Sequence, residues 1–386
     1  MELNSLYAAF DIYPSAKGAA THIHQMSKAL FDHCGSGYLY VLGNERLPTY
    51  QDEGNIKIFR FTELVDNYLE RAELFGFSLS NFISDKKKIR LVHFRDIWSG
   101  LALLGPQKPY KSVFEVNAFM SVELPYRYPL LSKSQIQKIR EIEKYCFEQA
   151  DQIICPSESI SQNLIKNGLS QNKVTVITNG AEIETENEKI DDLPEQYILY
   201  FGALQYWQGV DDLIKAVAGL KDFPDLKLVI CSSNRPSYSK PYKKLAEKLG
   251  LSKTIVWNYQ LSKNELNTWI KNAVLTVAPF KETERNLIQG FSPLKLFESM
   301  AQGIPVIASN LPSVQEIITD KENGRLVRPE RPAELSRSIR FLLDYPEYAQ
   351  KLGANGYKTI LEKYLWKQKI SELTELYLKL VKFENQ

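Results

Sequence analysis

An alternation that runs almost from end to end constrains this chain most. Short β-branched or aromatic stretches of strand length give way to longer amphipathic stretches of helical period, and then return. In the first half the strand-like runs are SLYAAF (5–10), YLYVLG (38–43), IKIFRF (56–61), IRLVHF (89–94), SVFEV (112–116), QIICPS (152–157) and KVTVIT (173–178). Between them lie THIHQMSKALFDH (21–33) and SQIQKIREIEKYCFEQA (134–150). In the latter, Ile136, Ile139, Ile142 and Tyr145–Cys146 recur at helical spacing. Strands and helices in this order argue for a parallel sheet covered on both faces.

The second half restarts the pattern with YILYFGAL (197–204), LKLVICSS (226–233), TIVWNY (254–259), LTVAPF (275–280), PVIAS (305–309) and RLVRP (325–329). Between the halves, EIETENEKIDDLPEQ (182–196) is acidic, polar and nearly free of apolar residues, the composition of a linker. A chain of 386 residues exceeds one ordinary core. We therefore expect an α/β protein of two Rossmann-like doubly wound domains, over 1–185 and 186–363. The tail 332–383 reads as helical, broken at Gly353 and Gly356 and restarting near Tyr364. Its last stretch, 364–386, is long enough to rejoin the first domain.

Composition narrows the partners. With 48 basic and 46 acidic residues the net charge is +2, which gives no support for a nucleic-acid binder. No apolar run approaches the roughly 18 residues of a membrane span, and the opening MELNSLYAAFDIYPS lacks a basic leader followed by an apolar core. Cys34, Cys146, Cys155 and Cys231 form no CxxC and read as buried thiols. These points suggest a cytoplasmic protein.

In open α/β sheets, ligands sit beyond the carboxyl ends of the strands, where helix N-termini offer unpaired N–H groups to anions. Three strand-to-helix junctions fit. In DIYPSAKGAATH (11–22), Lys17 and Gly18 precede the small pair Ala19–Ala20, so backbone can approach a ligand closely. In FGALQYWQGVDDLIKA (201–216), Gly202 and Gly209 flank a loop, and Asp211–Asp212 would stabilise the first turn of any helix. In FSPLKLFESMAQGIPVIAS (291–309), a helix over 293–302 places Leu294, Phe297, Met300 and Ala301 on one apolar face. Lys295, Glu298, Ser299 and Gln302 fall on the other. Ser292 suits the N-cap and Pro293 the first turn. The preceding loop, KETERNLIQG, is about as long as functional loops in compact domains tend to be.

The stretches "TNGAEI" (178–183), "YFGALQYWQGVDDLIKA", "SPLKLFESMAQGIPVIASNLPSVQEII" (292–318) and "NGRLVRPERPAEL" (323–335) resemble a retaining GT-B glycosyltransferase of the group 1, family-four type. The resemblance implies two Rossmann-like domains facing a central cleft, with the nucleotide-sugar on the second and the acceptor on the first. It also implies transfer of a hexose-like sugar from a nucleotide diphosphate-sugar to a hydroxyl of a glycan, lipid-linked or small-molecule acceptor. Polysaccharide biosynthesis is the common setting, with peripheral membrane contact at the inner face left open.

Residue by residue, the second Glu of the family's Glu-x7-Glu motif, which holds the ribose, matches Glu298. The first, which touches the donor sugar, falls on Gly290, with Glu282 and Glu284 nearby in the same loop. An Arg and a Lys that clamp the diphosphate fall on Ala203 and Gln208, and a His often treated as catalytic falls on Asn117. No Asp-x-Asp triplet offers a metal site, and His22 and His24, two apart, face different sides of a helix. No metal or other cofactor is expected. A charge pair at 4 Å is worth about 4 kcal/mol at an effective dielectric of ~20, whereas a helix terminus supplies at most about 2 kcal/mol. A departing diphosphate therefore needs a full cation, and Lys295 is the one left.

The donor-binding set is Gly18, Gly202, Gln208, Tyr259, Leu261, Ser292, Pro293, Leu294, Lys295 and Glu298, with the base near the Tyr259–Leu261 turn. Lys295 and Asn117 are the catalytic candidates. The acceptor-side candidates are Glu115, Asn117, Glu123 and Arg95; Arg127 is a further cation for an anionic acceptor, and His93 a lining or packing residue. A catalytically degenerate partner protein and a nucleotide-sugar epimerase of the same fold remain alternatives.

Overall fold

The computed structural model describes residues 3–15, 18–183 and 188–381. The chain forms two units: the first runs to Thr178, apart from Gly18, and takes back the chain from Lys369, and the second holds Gly18 and Asn179–Gln368. Lys17 and part of the expected linker, 184–187, lie outside the described residues.

The first unit is built on an eight-stranded sheet in the order β3-β4-β2-β1-β5-β6-β7-β8. Its strands are β1 (Ser5–Ile12), β2 (Gly37–Leu42), β3 (Tyr50–Glu53), β4 (Ile56–Phe61), β5 (Leu91–Phe94), β6 (Lys111–Glu115), β7 (Gln152–Cys155) and β8 (Val174–Val176). All neighbours pair in parallel except β3, which runs antiparallel along β4. Sequence pattern missed β3 because YQDE is polar and mostly exposed; its role is to close an edge. The helices Gly18–Cys34 and Lys133–Gln149 match the expected periodic runs, the second opened by a capping box between Ser132 and Gln135.

The second unit holds β9 (Tyr197–Gly202), β10 (Lys227–Ser232), β11 (Ile255–Tyr259), β12 (Leu275–Ala278), β13 (Val306–Ser309) and β14 (Arg325–Val327), in the order β11-β10-β9-β12-β13-β14. All pairs are parallel. Renumbered within the unit this is 3-2-1-4-5-6, so strand order reverses between β9 and β12, and a crevice opens at their carboxyl ends. In the first unit the corresponding reversal lies between β1 and β5. The central strand β9 can bury two tyrosines because each hydroxyl finds an acceptor. Tyr197 donates to the Trp269 carbonyl at 2.7 Å and Tyr200 to that of Ala203 at 2.6 Å.

The tail corrects one expectation. The helix Pro346–Lys363 runs straight through Gly353 and Gly356; the chain breaks before it at Tyr345 and after it at Tyr364, where the restart was expected. The glycines are there for close approach. A Cβ on Gly353 would meet the Gly303 carbonyl oxygen at 2.0 Å, and one on Gly356 the Met300 side chain at 3.2 Å. They let this helix lie against the helix Leu294–Ala301. The last helix, Trp366–Leu380, buries Leu373 and Tyr377. Among the described residues no helix is long and apolar enough to cross a membrane. All four cysteines are buried free thiols, and burial pushes those of Cys34 and Cys231 up to about 12.

Candidate functional site

In the second unit the loops after β9 and β12 are strapped together. Gly209 has φ +69°, and a Cβ there would sit 1.8 Å from the Pro279 carbonyl oxygen, so glycine is required for both conformation and space. The Trp207 carbonyl accepts from the Lys281 N–H at 3.0 Å and from Asn286 Nδ2 at 3.0 Å. Asn286 is fully buried and also donates to the Lys281 carbonyl at 2.8 Å. The buried Lys281 ammonium pairs with Asp211 at 2.9 Å and Asp212 at 3.3 Å, while Arg285 stacks over the Trp207 ring at 4.8 Å. Asp211 and Asp212 read in the sequence as ordinary first-turn acids. Their buried partner lies about seventy positions downstream, and nothing local announces it.

Against this strap stands the helix Leu294–Ala301. Lys295, in its first turn, donates to Gln208 Oε1 at 2.7 Å and lies 4.2 Å from the Tyr200 ring and 5.2 Å from the Phe280 ring. Burial pushes its ammonium from the ordinary 10.5 down to about 7, opposed by the carboxylate of Glu298 one turn on. The residue as a whole keeps some exposed surface, as does Glu298. Gly202, with φ +122° at the end of β9, leaves the ammonium room: a Cβ there would meet Nζ at 3.4 Å. Gly202, Gln208 and Lys295 are thus brought together at the reversal of strand order. The cation missing from position 208 arrives instead from the helix, bonded to the residue that replaced it.

Pro293, not Ser292, occupies the N-cap, with extended dihedrals and no side-chain cap bond. The Ser292 hydroxyl is buried with no hydrogen-bond partner among the described residues, and its carbonyl accepts from Asn179 Nδ2 at 2.8 Å. Within the long loop, Arg285–Gln289 winds into a short i→i+5 turn. That turn ends at Gly290, whose φ of 79° and ψ of 172° lie in a region open essentially only to glycine. The position matching the family's first Glu therefore carries a backbone path that a Glu could not follow without strain. Glu282 and Glu284 are exposed. Farther along the same strand ends, the Tyr259 hydroxyl shares a hydrogen bond with Ser239 at 2.7 Å, and Lys243 lies 5.6 Å over the Tyr259 ring. Leu261 follows, across a left-handed Gln260 (φ 50°).

The first unit gathers charge differently. Glu115, at the end of β6, is 1 % exposed. It accepts from the Tyr7 hydroxyl at 3.0 Å and from the Asn117 amide, and it pairs with His22 Nδ1 at 3.0 Å and His93 Nε2 at 3.3 Å. Burial drives its carboxyl upward, but His22, His93 and Arg95 together outweigh that and hold it well below the usual carboxylate range. Burial keeps His93 neutral, and its Nδ1 lies 2.6 Å from the Tyr377 hydroxyl of the last helix. Arg95 is fixed by the Ala19 carbonyl at 3.1 Å and by Asp11 at 3.7 Å.

Glu115, expected to face an acceptor, lies inside instead, with both oxygens engaged. Of that set Asn117 and Arg95 keep some exposed surface beside it, and Glu115 orients the Asn117 amide. Glu123 stands apart in an ion pair with Arg127. Gly18 opens the helix Gly18–Cys34, whose His22 is buried and His24 exposed. Sequence reasoning missed the network because its members come from five separate elements. The one available signal is that Arg95, Glu115 and Asn117 all lie within two residues of the carboxyl end of a central strand.

Two family models divide the chain between them: Glycosyl transferases group 1 over residues 182–359 and Glycosyltransferase Family 4 over residues 16–185. The chain is a group 1 glycosyltransferase. An uncharacterised glycosyltransferase of Methanocaldococcus jannaschii is 22% identical, over 95% of this chain and 96% of its own. The MMP alpha-(1->4)-mannosyltransferase of Mycolicibacterium hassiacum is 26% identical over 62% of this chain and 57% of its own. Among solved structures, sucrose-phosphate synthase from Thermosynechococcus elongatus superposes with a TM-score of 0.79 at 19% identity, covering 98% of this chain and 99% of that one. Anabaena HepE in complex with UDP and glucose gives 0.76 at 15% identity, covering 98% and 100%. These two structures establish the GT-B fold for this group 1 glycosyltransferase.

Proposed function

We propose that this glycosyltransferase moves a sugar, with retained anomeric configuration, from a nucleoside diphosphate-sugar to a hydroxyl of a glycan, lipid-linked or small-molecule acceptor, without a metal. The observation that carries this reading is the Lys295 ammonium: enclosed, held by one neutral acceptor, and set at the switch point beside Gly202. A cation so placed is under-paired until an anion arrives. A diphosphate there would raise its pKa and be neutralised by it, while Glu298, one turn on, holds the ribose hydroxyls. As the C1–O bond to phosphate breaks, the freed phosphate oxygen takes the acceptor hydroxyl's proton and the acceptor oxygen bonds C1 on the same face. No enzymic base is needed, so Asn117 in place of His is compatible with transfer, and its amide can orient a hydroxyl.

The relatives' names support transfer to a hydroxyl, and the HepE complexes support a uridine or similar diphosphate handle. In this reading the protein works in the cytoplasm on polysaccharide assembly. Thermal unfolding with UDP, GDP and ADP tests the reading. One of them at a hundred times its Kd should stabilise the second unit by about 2.7 kcal/mol. No stabilisation by any of the three identifies a degenerate partner protein instead. Free nucleotide with an epimerised sugar and no transfer product identifies an epimerase.

A further inference from the structure

Gln208 belongs to a very short element. Tyr206–Gln208 is a single 3₁₀ turn, closed by the Gln208 N–H on the Gln205 carbonyl at 3.0 Å and the Gly209 N–H on that of Tyr206 at 3.2 Å. One isolated turn does not hold itself in place, so its position is set from outside, by the loop after β12. There Asn286, fully buried, spends both amide hydrogens on carbonyls, that of Trp207 at 3.0 Å and that of Lys281 at 2.8 Å. Its Oδ1 accepts from Arg285 Nη1 at 3.1 Å, and its backbone N–H donates to the Thr283 carbonyl at 3.0 Å. The two carbonyls fix which end of the amide is nitrogen, because a flipped amide would set oxygen against oxygen.

The peptide that Asn286 holds is the one that carries Gln208, whose Oε1 meets the Lys295 ammonium at 2.7 Å. The stretch of chain that carries Asn286 runs on through Gly290 into the helix of Lys295. Both ends of the Lys295–Gln208 bond are therefore tied to one buried amide. The Trp207 carbonyl already accepts from the Lys281 N–H at 3.0 Å. A second donor is not needed to satisfy it and instead fixes its direction. Support of this kind decides whether a site is held to within a fraction of an ångström.

We infer that Asn286 is a positioning residue for Lys295: by holding the Trp207 carbonyl it aims Gln208 at the ammonium and keeps that cation at the switch point. Its consequence for transfer rests on the reading of Lys295 as the diphosphate's partner. Trace acetylation of the unliganded full chain across pH, read by mass spectrometry at Lys295, tests the aiming without donor or acceptor. The charged group acting on the ammonium is Glu298, which every variant keeps. In Gln208→Leu the charged amine loses its acceptor, so Lys295 should titrate below the parent's value of about 7. Asn286→Ala should move it in the same direction and by no more, whereas a general loosening would admit water and move it upward. Turnover at pH 7 should fall by up to about tenfold in Asn286→Ala. The same change made on top of Gln208→Leu should cost less than about twofold, because both act on one bond. Melting temperatures are taken in parallel, and Asn286→Ser, which keeps one hydroxyl donor, serves in its place if Asn286→Ala does not fold. An upward or absent shift at Lys295, or losses that multiply in the double variant, would overturn the inference. The expected shift together with a nucleoside diphosphate affinity indifferent to Lys295→Ala keeps the aiming and rejects the diphosphate reading.

Discussion

Each unit encloses a charge near the carboxyl ends of its central strands, and the two are treated in opposite ways. Around Glu115 the first unit supplies a tyrosine hydroxyl, an amide, two imidazoles and a nearby guanidinium, so the carboxylate stays ionised despite its burial. Around Lys295 the second unit supplies one neutral amide oxygen, two aromatic faces and the Glu298 carboxylate one turn on, which does not offset burial, and the ammonium is driven down to about 7. A saturated charge holds a fold together. An under-paired one is held ready for something outside the chain, and this contrast separates framework from candidate chemistry.

The contrast breaks most visibly through Glu115→Ala. Removing this anion leaves Arg95 with Asp11 alone and strands the buried Tyr7 hydroxyl and the two imidazoles without their acceptor, and chemical denaturation should show a loss of about 3–5 kcal/mol. A smaller loss would mean that water or rearrangement replaces the carboxylate. Lys295→Ala should do the converse: leave the fold no less stable, and lower turnover by about 10²–10³-fold, the cost of losing one preorganised electrostatic partner. A folded variant with normal turnover removes Lys295 from the chemistry.

Proton linkage sharpens the same point. Below about 10.5 the unfolded chain binds the Lys295 proton, while the folded chain loses it above about 7. Stability of the unliganded protein should therefore rise across that window, by at most about 1.4 kcal/mol per pH unit. Denaturation of Lys295→Met alongside the parent isolates the effect, because the variant's advantage should shrink as pH increases. Nucleoside diphosphate affinity runs the other way. Calorimetry should find it full below pH 7 and falling by up to about tenfold per unit above. The smallest expected effect is that of Gln208→Leu, which removes the single acceptor. Turnover at pH 7 should drop by roughly tenfold, about the worth of one hydrogen bond to a charged group.

The fold was legible because parallel strands covered on both faces announce themselves locally, as in YILYFG and SLYAAF. The Lys295–Glu298 pair was legible for the same reason, since helical spacing puts the two one turn apart. Ser292 misled because cap propensity is a local preference, and the helix starts one residue later with Pro293 in the extended region. Gly353 and Gly356 misled because the composition of a breaker and that of a close helix contact are the same. The Glu115 network and the Lys281–Asp211 strap were illegible: their members meet only after strands distant in sequence have been ordered side by side.

The hydrogen bond between His93 and Tyr377 spans 284 positions. During synthesis the first sheet can be laid down early, but the imidazole that faces Glu115 waits for its phenol until the ribosome has added those 284 further residues. The N-terminal half thus cannot finish maturing ahead of its neighbour, and a chain cut short just before the final helix would leave a hole in the part that was made first.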